Sequence, residues 1–218
     1  MEEMNKRNIA AFDFDGTLTT RDSFLAFIKW ACGPVSYYAG LVRYAPQLAL
    51  MLLHLYPNSK AKQRLFSHFF KGWQYSWFKA LGEDFTVVID TMRNEPVIQR
   101  LQEHIDRGDT VYIVSASLPE WITPWCSKLG VKHVLATEVE VDDDGRLTGR
   151  FKTPNCRGQE KVNRLLEVEP DRQDYHLTAC GDSRGDRELL ALADQSIKAS
   201  QLSGRVQESL THSTSSRR

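Results

Sequence analysis

The sequence predicts an α/β protein with an all-helical segment inserted after the first strand. Short apolar runs, beginning with residues 9–12, end in polar residues and alternate with helical patterns, as βαβ units do. Residues 22–90 instead carry only helical patterns. A chain of 218 residues is long enough for one α/β domain and a small additional module.

Composition narrows the class of protein. Lys+Arg and Asp+Glu are both 28, so the net charge is zero and nothing indicates a nucleic-acid partner. The four cysteines form no CxxC pair and no zinc-type spacing, which favours free thiols in a reducing cytosol. Residues 1–8 are polar and lack the apolar region of a signal peptide. A cytoplasmic protein is therefore expected.

Two carboxylates follow the first strand. Residues 9–12 are apolar and suit a buried strand, and Asp13 and Asp15 come next, before Gly16 and Thr17 break the strand. Carboxylates this close repel each other unless a proton or a cation lies between them. Mg²⁺ is the usual hard cation beside phosphates. The alternative is a solvated, Asp-rich turn.

The helical insert contains an unusually apolar stretch at residues 35–56. Before it, Asp22 or Ser23 suits an N-cap, residues 24–31 have helical spacing, and Gly33-Pro34 is expected to stop that helix. Residues 35–56 carry Arg43 as their single formal charge and nearly reach the length of a membrane span. Pro46 divides them, which favours a pair of buried helices. A surface that meets lipid or a lipid-like substrate stays open.

The remainder of the chain alternates between strands and helices. Residues 60–70 predict an amphipathic helix, because four apolar residues lie on one side of it and Lys and Gln residues lie on the other. Another helix is expected after Trp73. Asp-Gly at 144–145 indicates a hairpin turn. A calcium-binding loop is disfavoured, because the closing Glu that such a loop requires is absent. From Ser200 the Ser-rich composition predicts a flexible tail. The expected helices are 95–106, 119–129, 160–167 and 189–193, and the expected strands are 110–114, 133–136, 138–141, 146–151, 176–180 and 196–199.

Two further positions suggest chemistry. Ser115 ends a β-branched strand just before a helix, so its hydroxyl and the helical N–H groups could cradle a phosphate. An ordinary helix cap is the alternative. Cys156 has no evident histidine partner, which favours a structural cysteine over a nucleophile.

Four segments resemble, in order, the motifs of the haloacid dehalogenase (HAD) superfamily. Asp-Phe-Asp-Gly-Thr-Leu-Thr at 13–19 resembles motif I, and the strand ending at Ser115 resembles motif II. Asn-Cys-Arg-Gly-Gln-Glu-Lys at 155–161 resembles the run before motif III in subfamily IB, the phosphoserine phosphatase-like group. Gly-Asp-Ser-Arg-Gly-Asp at 181–186 resembles motif IV.

The resemblance implies roles for particular residues. Asp13 would be the nucleophile and Asp15 the general acid/base, while Ser115, Ala116 and Lys161 would bind the phosphoryl group. Mg²⁺ would be held by Asp13, Asp182 and the backbone carbonyl of Asp15. Supporting residues would be Asp186, Thr17 and Ser183.

The resemblance also implies a domain division. The HAD core, Rossmann-like with a mainly parallel sheet, would comprise 1–20 and 91–200. An all-helical cap of type C1, inserted after the first strand, would comprise 21–90, and the flexible tail would comprise 201–218.

The implied activity is Mg²⁺-dependent hydrolysis of a small phosphomonoester, such as a phosphoserine-like compound, through an aspartyl-phosphate. Phosphoserine enzymes carry Ser-Leu-x-x-Arg-Val in the cap and usually Glu where Asp22 stands, whereas 62–67 here read Lys-Gln-Arg-Leu-Phe-Ser. Asp22 and Arg64 are therefore the candidate specificity residues.

Other functions stay open. The apolar stretch at 35–56 resembles bacterial phosphatidylglycerophosphate phosphatases, so a lipid phosphatase that meets the inner membrane face through its cap is the alternative. A phosphoacceptor signalling or binding protein without turnover is less favoured, because Asp13 lies so early in the chain and a helical insert follows it. Dehalogenases lack the second Asp of motif I.

Overall fold

The computed structural model describes residues 6–53 and 55–202. The strands are β1 (Arg7–Phe12), β2 (Thr110–Ser115), β3 (His133–Ala136), β4 (Val139–Val141), β5 (Leu147–Phe151), β6 (Tyr175–Gly181) and β7 (Gln195–Lys198). The central sheet has five parallel strands in the order β3-β2-β1-β6-β7, and a two-stranded antiparallel hairpin, β4-β5, stands apart from it. The α/β fold class is confirmed.

Strand β1 occupies the middle of the sheet. Phe12 is paired in register with Ile113 of β2 on one side and with Cys180 of β6 on the other. Because parallel strands end at the same edge, Asp13, Ser115 and Asp182 all lie at this edge. The sheet therefore brings together residues that are up to about 170 positions apart.

Core helices cover both faces of the sheet. They are α6 (Glu95–Asp106), α7 (Pro119–Ser127), α8 (Gln159–Val168) and α9 (Arg187–Leu192). Ala10 and Phe12 pack into one buried cluster, and Ile9 and Ala11 pack into a second. This alternation is expected of a strand buried on both faces.

The segment between β1 and α6 is all-helical. Its helices are α1 (Ser23–Arg43), α2 (Ala45–Leu52), α3 (Asn58–Phe70), α4 (Tyr75–Asp84) and α5 (Thr86–Asp90). Phe27 of α1 lies at its centre, with ring centroids 5.6 Å from Phe70 and 5.4 Å from Phe78. Phe27 also stacks at 4.6 Å on Trp121 of α7, so the apolar interior of this cap continues into the core.

One expectation about the cap is confirmed and another is wrong. The helical backbone is interrupted at Gly33, where φ is 80° and ψ is 158°, so α1 consists of two helical segments that meet at Gly33-Pro34. A positive φ suits glycine, and proline tolerates the first turn of the segment that follows. The expected pair of buried helices is wrong, because much of 35–55 is exposed, with Val35 at 83% and Val42 at 75%. No helix in the described part of the chain is long and apolar enough to cross a membrane.

The β4-β5 hairpin is joined to the cap by backbone hydrogen bonds. Gly72 N–H donates to the Leu147 carbonyl at 2.8 Å, and Leu147 N–H donates to the Trp73 carbonyl at 2.9 Å. Tyr75 N–H donates to the Gly145 carbonyl at 2.8 Å. Although the hairpin falls within the predicted core range of 91–200, it forms one wall of the cap.

The predicted tail at 201–218 falls mostly outside the described residues. Residues 199–202 are helical, so its first two positions continue a helix rather than a coil. Ala199 is buried, which explains why order extends past β7.

Helices α4 and α7 approach closely across the boundary between cap and core. A Cβ atom on Gly82 would lie 2.6 Å from the Glu120 carbonyl oxygen, so a side chain there would clash with backbone. The Glu120 carboxyl is buried at this contact, and its Oε2 atom has no hydrogen-bond partner among the described residues. Burial raises the pKa of Glu120 to about 7.

This buried carboxyl makes stability depend on pH. The folded protein holds the Glu120 proton more tightly than the unfolded chain does, so its contribution is complete below about pH 4.5 and is lost as pH rises through about 7. Glu120→Gln should therefore gain stability relative to wild type between pH 4.5 and 8, by about 3 kcal/mol at most. Urea unfolding across that range measures the difference. The matched control is Glu83→Gln on the exposed side of α4, and a gain of equal size there would contradict the assignment.

Candidate active site

A cavity of about 280 Å³ lies at the carboxyl edge of the sheet, between the core and the cap. It brings together most of the residues expected from the sequence. Its walls are Asp13, Asp15, Asp22, Phe24, Leu25, Met51, Asn58, Ala61, Lys62, Leu65, Ser115, Ala116, Arg157, Lys161, Ser183, Gly185 and Asp186.

Asp13 is fixed at the floor of this cavity. Its backbone N–H donates to the Cys180 carbonyl at 2.9 Å, which extends the pairing of β1 with β6 by one residue. Oδ1 accepts from Lys161 Nζ at 2.6 Å, and Oδ2 accepts from Thr17 Oγ1 at 3.1 Å. Burial raises the pKa of Asp13, and the Lys161 ammonium opposes that shift.

Lys161 lies between two carboxylates. Its Nζ is 2.6 Å from Asp13 Oδ1 and 2.6 Å from Asp186 Oδ1, and its side chain is 2% exposed. Burial alone would lower the pKa of Lys161, but the two carboxylates outweigh burial and raise it. Ser183 N–H and Oγ–H both donate to Asp186 Oδ2, so the turn after β6 holds Asp186 against Lys161.

Asp15 has a different environment. Oδ1 accepts from the Ser23 backbone N–H at 2.7 Å, at the start of α1, and Oδ2 accepts from the Ser117 hydroxyl. Trp121 Nε1–H donates to Ser23 Oγ at 3.0 Å, and this bond connects the start of α1 to α7. Burial raises the pKa of Asp15 to about 6, and the charge of Asp22 adds to the shift. Such a carboxyl can both give and take a proton near neutral pH.

The loop after β2 presents a hydroxyl to the cavity. Ser115 Oγ accepts from the Ser117 backbone N–H at 3.0 Å, which leaves the Ser115 hydroxyl proton available to donate. The Ala116 carbonyl accepts from Thr137 Oγ1 at 2.8 Å, so the loop is tied to the strand beside it. This arrangement suits binding of phosphate oxygens.

The cap supplies the opposite wall. Asp22 caps α1, its Oδ1 accepting from Leu25 N–H at 2.9 Å. Lys62 of α3 reaches across to donate to the Ala116 carbonyl at 2.8 Å, and its ammonium lies 4.7 Å from the centroid of the Phe24 ring. Burial lowers the pKa of Lys62, against the attraction of Asp22 and Asp15.

Three predicted residues do not line the cavity, and one of them, Thr17, lies behind it, hydrogen-bonded to Asp13. Arg64 is exposed, with its guanidinium 5.4 Å from the centroid of the Tyr56 ring, so it cannot act as the predicted specificity residue in this arrangement. Asp182 is also exposed, and its Oδ1 accepts from Ser200 Oγ at 2.8 Å instead of facing Asp13.

Lys62 takes the place expected of Arg64, and helical spacing carries the signal for it. Lys62 precedes Leu65 by three positions and Phe66 by four, so it lies beside the buried stripe of α3. Arg64 precedes the exposed His68 by four positions. Arg157 is the second missed residue, and its place in the loop before α8 gave no comparable signal.

The donor chemistry of the floor fits Mg²⁺. The described residues contain no cluster of three or more His, Cys, Asp or Glu side chains that could hold a metal by themselves. Mg²⁺ does not require such a cage, because it keeps several waters and binds through one or two carboxylates and the substrate phosphate. Asp13 and the backbone of Asp15 supply hard oxygen donors, and Asp182 could join them if its carboxylate turned away from Ser200.

Two alternative sites have little support. Cys156 is fully buried, and burial raises the pKa of its thiol to about 11, which disfavours the nucleophilic thiolate. In the turn between β4 and β5, Asp142 Oδ1 accepts from Asp144 N–H at 3.1 Å and from Arg146 N–H at 2.8 Å. These bonds give Asp142 a structural role in the turn.

Comparison with known proteins gives consistent findings. The family of haloacid dehalogenase-like hydrolases matches residues 10–191. Protein CicA from Caulobacter vibrioides is 35% identical over 192 residues, which cover 86% of this chain and 83% of CicA. Histidinol-phosphatase from Neisseria meningitidis is 26% identical over 210 residues, which cover 88% of this chain and 89% of that protein.

A solved structure shows the same fold. It is that of a phosphoserine phosphohydrolase-like protein from Francisella tularensis, with a TM-score of 0.62 and 20% identity, and the match covers 88% of this chain and 86% of that one.

The buried Lys161 yields a prediction about stability. Lys161→Met leaves Asp13 and Asp186 buried together without their cation, so the free energy of unfolding should fall by about 3–5 kcal/mol. Urea denaturation at neutral pH measures the loss. Adding Asp186→Asn should recover part of it, and Lys79→Met on the exposed side of α4 is the control. A loss below about 1 kcal/mol for Lys161→Met would contradict the pairing.

Proposed function

The chain belongs to the haloacid dehalogenase-like hydrolases, and we propose that it is a Mg²⁺-dependent phosphomonoesterase that forms an aspartyl-phosphate on Asp13. The main observation is that one cavity holds Asp13 against an ammonium group and Asp15 in a separate hydrogen-bonded setting. Two carboxyl groups held in different environments can divide nucleophilic and acid/base work between them.

Asp13 acts as the nucleophile. Thr17 and Lys161 fix the two carboxylate oxygens, so the group is oriented before substrate arrives. An Asp13 oxygen attacks phosphorus, the bond from phosphorus to the ester oxygen breaks, and Asp15 gives its proton to the departing alcohol. Asp15 then takes a proton from water, which attacks the aspartyl-phosphate and releases inorganic phosphate.

Ser115, the backbone of Ala116 and Lys161 bind the phosphoryl oxygens. The Ser115 hydroxyl group, whose proton is available to donate, and the Lys161 ammonium group both lie at the floor of the cavity. Because this floor is shielded from water, donors directed at developing charge have a large effect on rate. Mg²⁺ would be held by Asp13, Asp182 and the Asp15 carbonyl, and when bound it would neutralise charge on the phosphate.

The substrate class that the cavity favours is a small polar phosphomonoester. Beyond the floor, the cap contributes one anionic side chain, Asp22, and one cationic side chain, Lys62. A leaving group that carries an amino group, a carboxylate or both would find a partner there. The relative named a histidinol-phosphatase takes, by its name, a compound of this kind.

A lipid phosphate is the second candidate. The cavity wall also contains apolar side chains of the cap, among them Phe24, Met51 and Leu65. In the apolar stretch at 35–56, Leu50 and Leu55 are exposed, and the side chains of Leu48 and Leu52 lie outside the described part of the chain. Exposed apolar side chains of this kind suit contact with a membrane surface at its inner face. They include Val35, Tyr38, Val42 and Leu53.

A phosphoacceptor protein without turnover is the third candidate. It would carry a phosphorylated Asp13 and stop there. However, two hydrogen bonds hold the Asp15 carboxyl group in the cavity, where it can activate water. A stable signalling switch does not need such a group. Repeated turnover of an aryl phosphate with Mg²⁺ would discriminate between the two functions.

Exchange of Asp15 tests the division of labour. Asp15→Asn keeps an oxygen acceptor but removes the proton donor, so hydrolysis of an alkyl phosphate should slow by about 10²–10⁴-fold. Phosphoprotein trapped on Asp13 should accumulate and be detectable by mass spectrometry. Asp13→Asn, which removes the attacking oxygen, should abolish turnover and trapping together. A loss under about tenfold for Asp15→Asn would argue against the acid/base role.

A substrate panel tests the leaving-group specificity. We expect a higher kcat/KM for phosphoserine or histidinol phosphate than for phosphatidylglycerophosphate or lysophosphatidate, with no change on adding liposomes. Lys62→Gln should lower kcat/KM for the preferred substrate about tenfold, because a charged hydrogen bond is lost. Arg64→Gln, with its exposed side chain, is the matched control. Preference for the lipid phosphates together with binding to liposomes would instead establish the lipid alternative.

A further inference from the structure

Arg157 is a cation of the cavity that the proposed mechanism has not used. It lies in the loop before α8, is half-buried, and lines the cavity together with Ser183 and Gly185. Its guanidinium forms no hydrogen bond or ion pair with any residue that the structure describes. A charged group with donors available inside a binding cavity indicates a ligand of opposite charge.

The aliphatic part of the Arg157 side chain packs against the turn after β6. A Cβ atom on Gly185 would lie 2.8 Å from Arg157 Cγ and 2.9 Å from its Nε, so the arginine can lie there because residue 185 has no side chain. Gly158 N–H donates to the Gly185 carbonyl at 2.7 Å, which ties the two loops together. The guanidinium is therefore held on the core side of the cavity, away from the cap.

The charges of the floor favour an additional cation at this place. Lys161 is already shared between Asp13 and Asp186, so these three groups together carry a net negative charge when ionised. Lys62 is engaged by the Ala116 carbonyl from the cap side. A phosphate dianion that approaches Asp13 would be repelled unless other positive charge faces it.

We propose that Arg157 binds the non-bridging oxygens of the phosphate group that Asp13 attacks. The proposal rests on the function proposed above. The planar guanidinium presents paired N–H donors that match two phosphate oxygens, which a lysine cannot reproduce. Its place on the core side assigns it to the phosphate rather than to the leaving group, which the cap residues surround.

The experiment compares Arg157→Gln and Arg157→Lys with Arg187→Gln, whose arginine is exposed and paired with Glu188. Binding of inorganic phosphate in the presence of Mg²⁺ is measured by calorimetry. Rates are measured with an aryl phosphate and with phosphoserine, whose leaving group is charged. Arg157→Gln should weaken phosphate binding about tenfold to a hundredfold, the usual range for a charged hydrogen bond. Arg157→Lys should recover part of the loss, and Arg187→Gln should match wild type.

The same loss of kcat/KM with both substrates is expected, because the phosphate is common to them. A loss confined to phosphoserine would overturn the proposal and assign Arg157 to the leaving group. Unchanged phosphate affinity in both Arg157 variants, or no phosphate binding by wild type, would also overturn it. If wild type binds phosphate through Arg157 but turns over neither substrate, the proposed function fails and the Arg157 site stands.

Discussion

The contact of Lys161 with Asp13 and Asp186 is the interaction on which the rest of the site depends. The lysine is 148 residues from the first partner and 25 from the second, and all three side chains are buried. A buried charge is costly unless it is paired and hydrogen-bonded. The end of β1, the start of α8 and the turn after β6 are therefore held at one point, and the cavity forms around that point.

Asp15, the carboxyl group proposed for acid/base work, is held by both the cap and the core. Asp15 accepts one hydrogen bond from Ser23, where the cap begins, and another from Ser117, in the loop after β2. Trp121 donates to Ser23 and also stacks on Phe27, so the same tryptophan connects the cap interior with the surroundings of Asp15. Movement of the cap would consequently change the hydrogen bonding of Asp15 as well as access to the cavity.

The floor and the outer wall of the cavity, which lie at different distances from the sheet, suit different parts of a substrate. The floor, built from strand ends and core loops, carries the groups that suit a phosphate. The outer wall, built from α1 and α3, mixes Asp22 and Lys62 with apolar side chains. Residues of the floor are constrained by the hydrogen bonds of the sheet, whereas the cap wall can vary without disturbing them, which is why chemistry and substrate choice can be altered independently in such a fold.

The sequence by itself determined the strands, most helices and most residues of the cavity floor, because apolar periodicity and turn residues act over short spans. Predicted and observed bounds of α6 and β3 coincide. Tertiary structure alone decided which polar side chains face the cavity. Lys62 rather than Arg64 lies there because α3 buries Leu65 and Phe66, and Asp182 turns outward to Ser200. Arg157 enters the cavity because Gly185, 28 residues away, leaves room for it. Side-chain direction at such positions is set by contacts between segments distant in the chain, which no local pattern records.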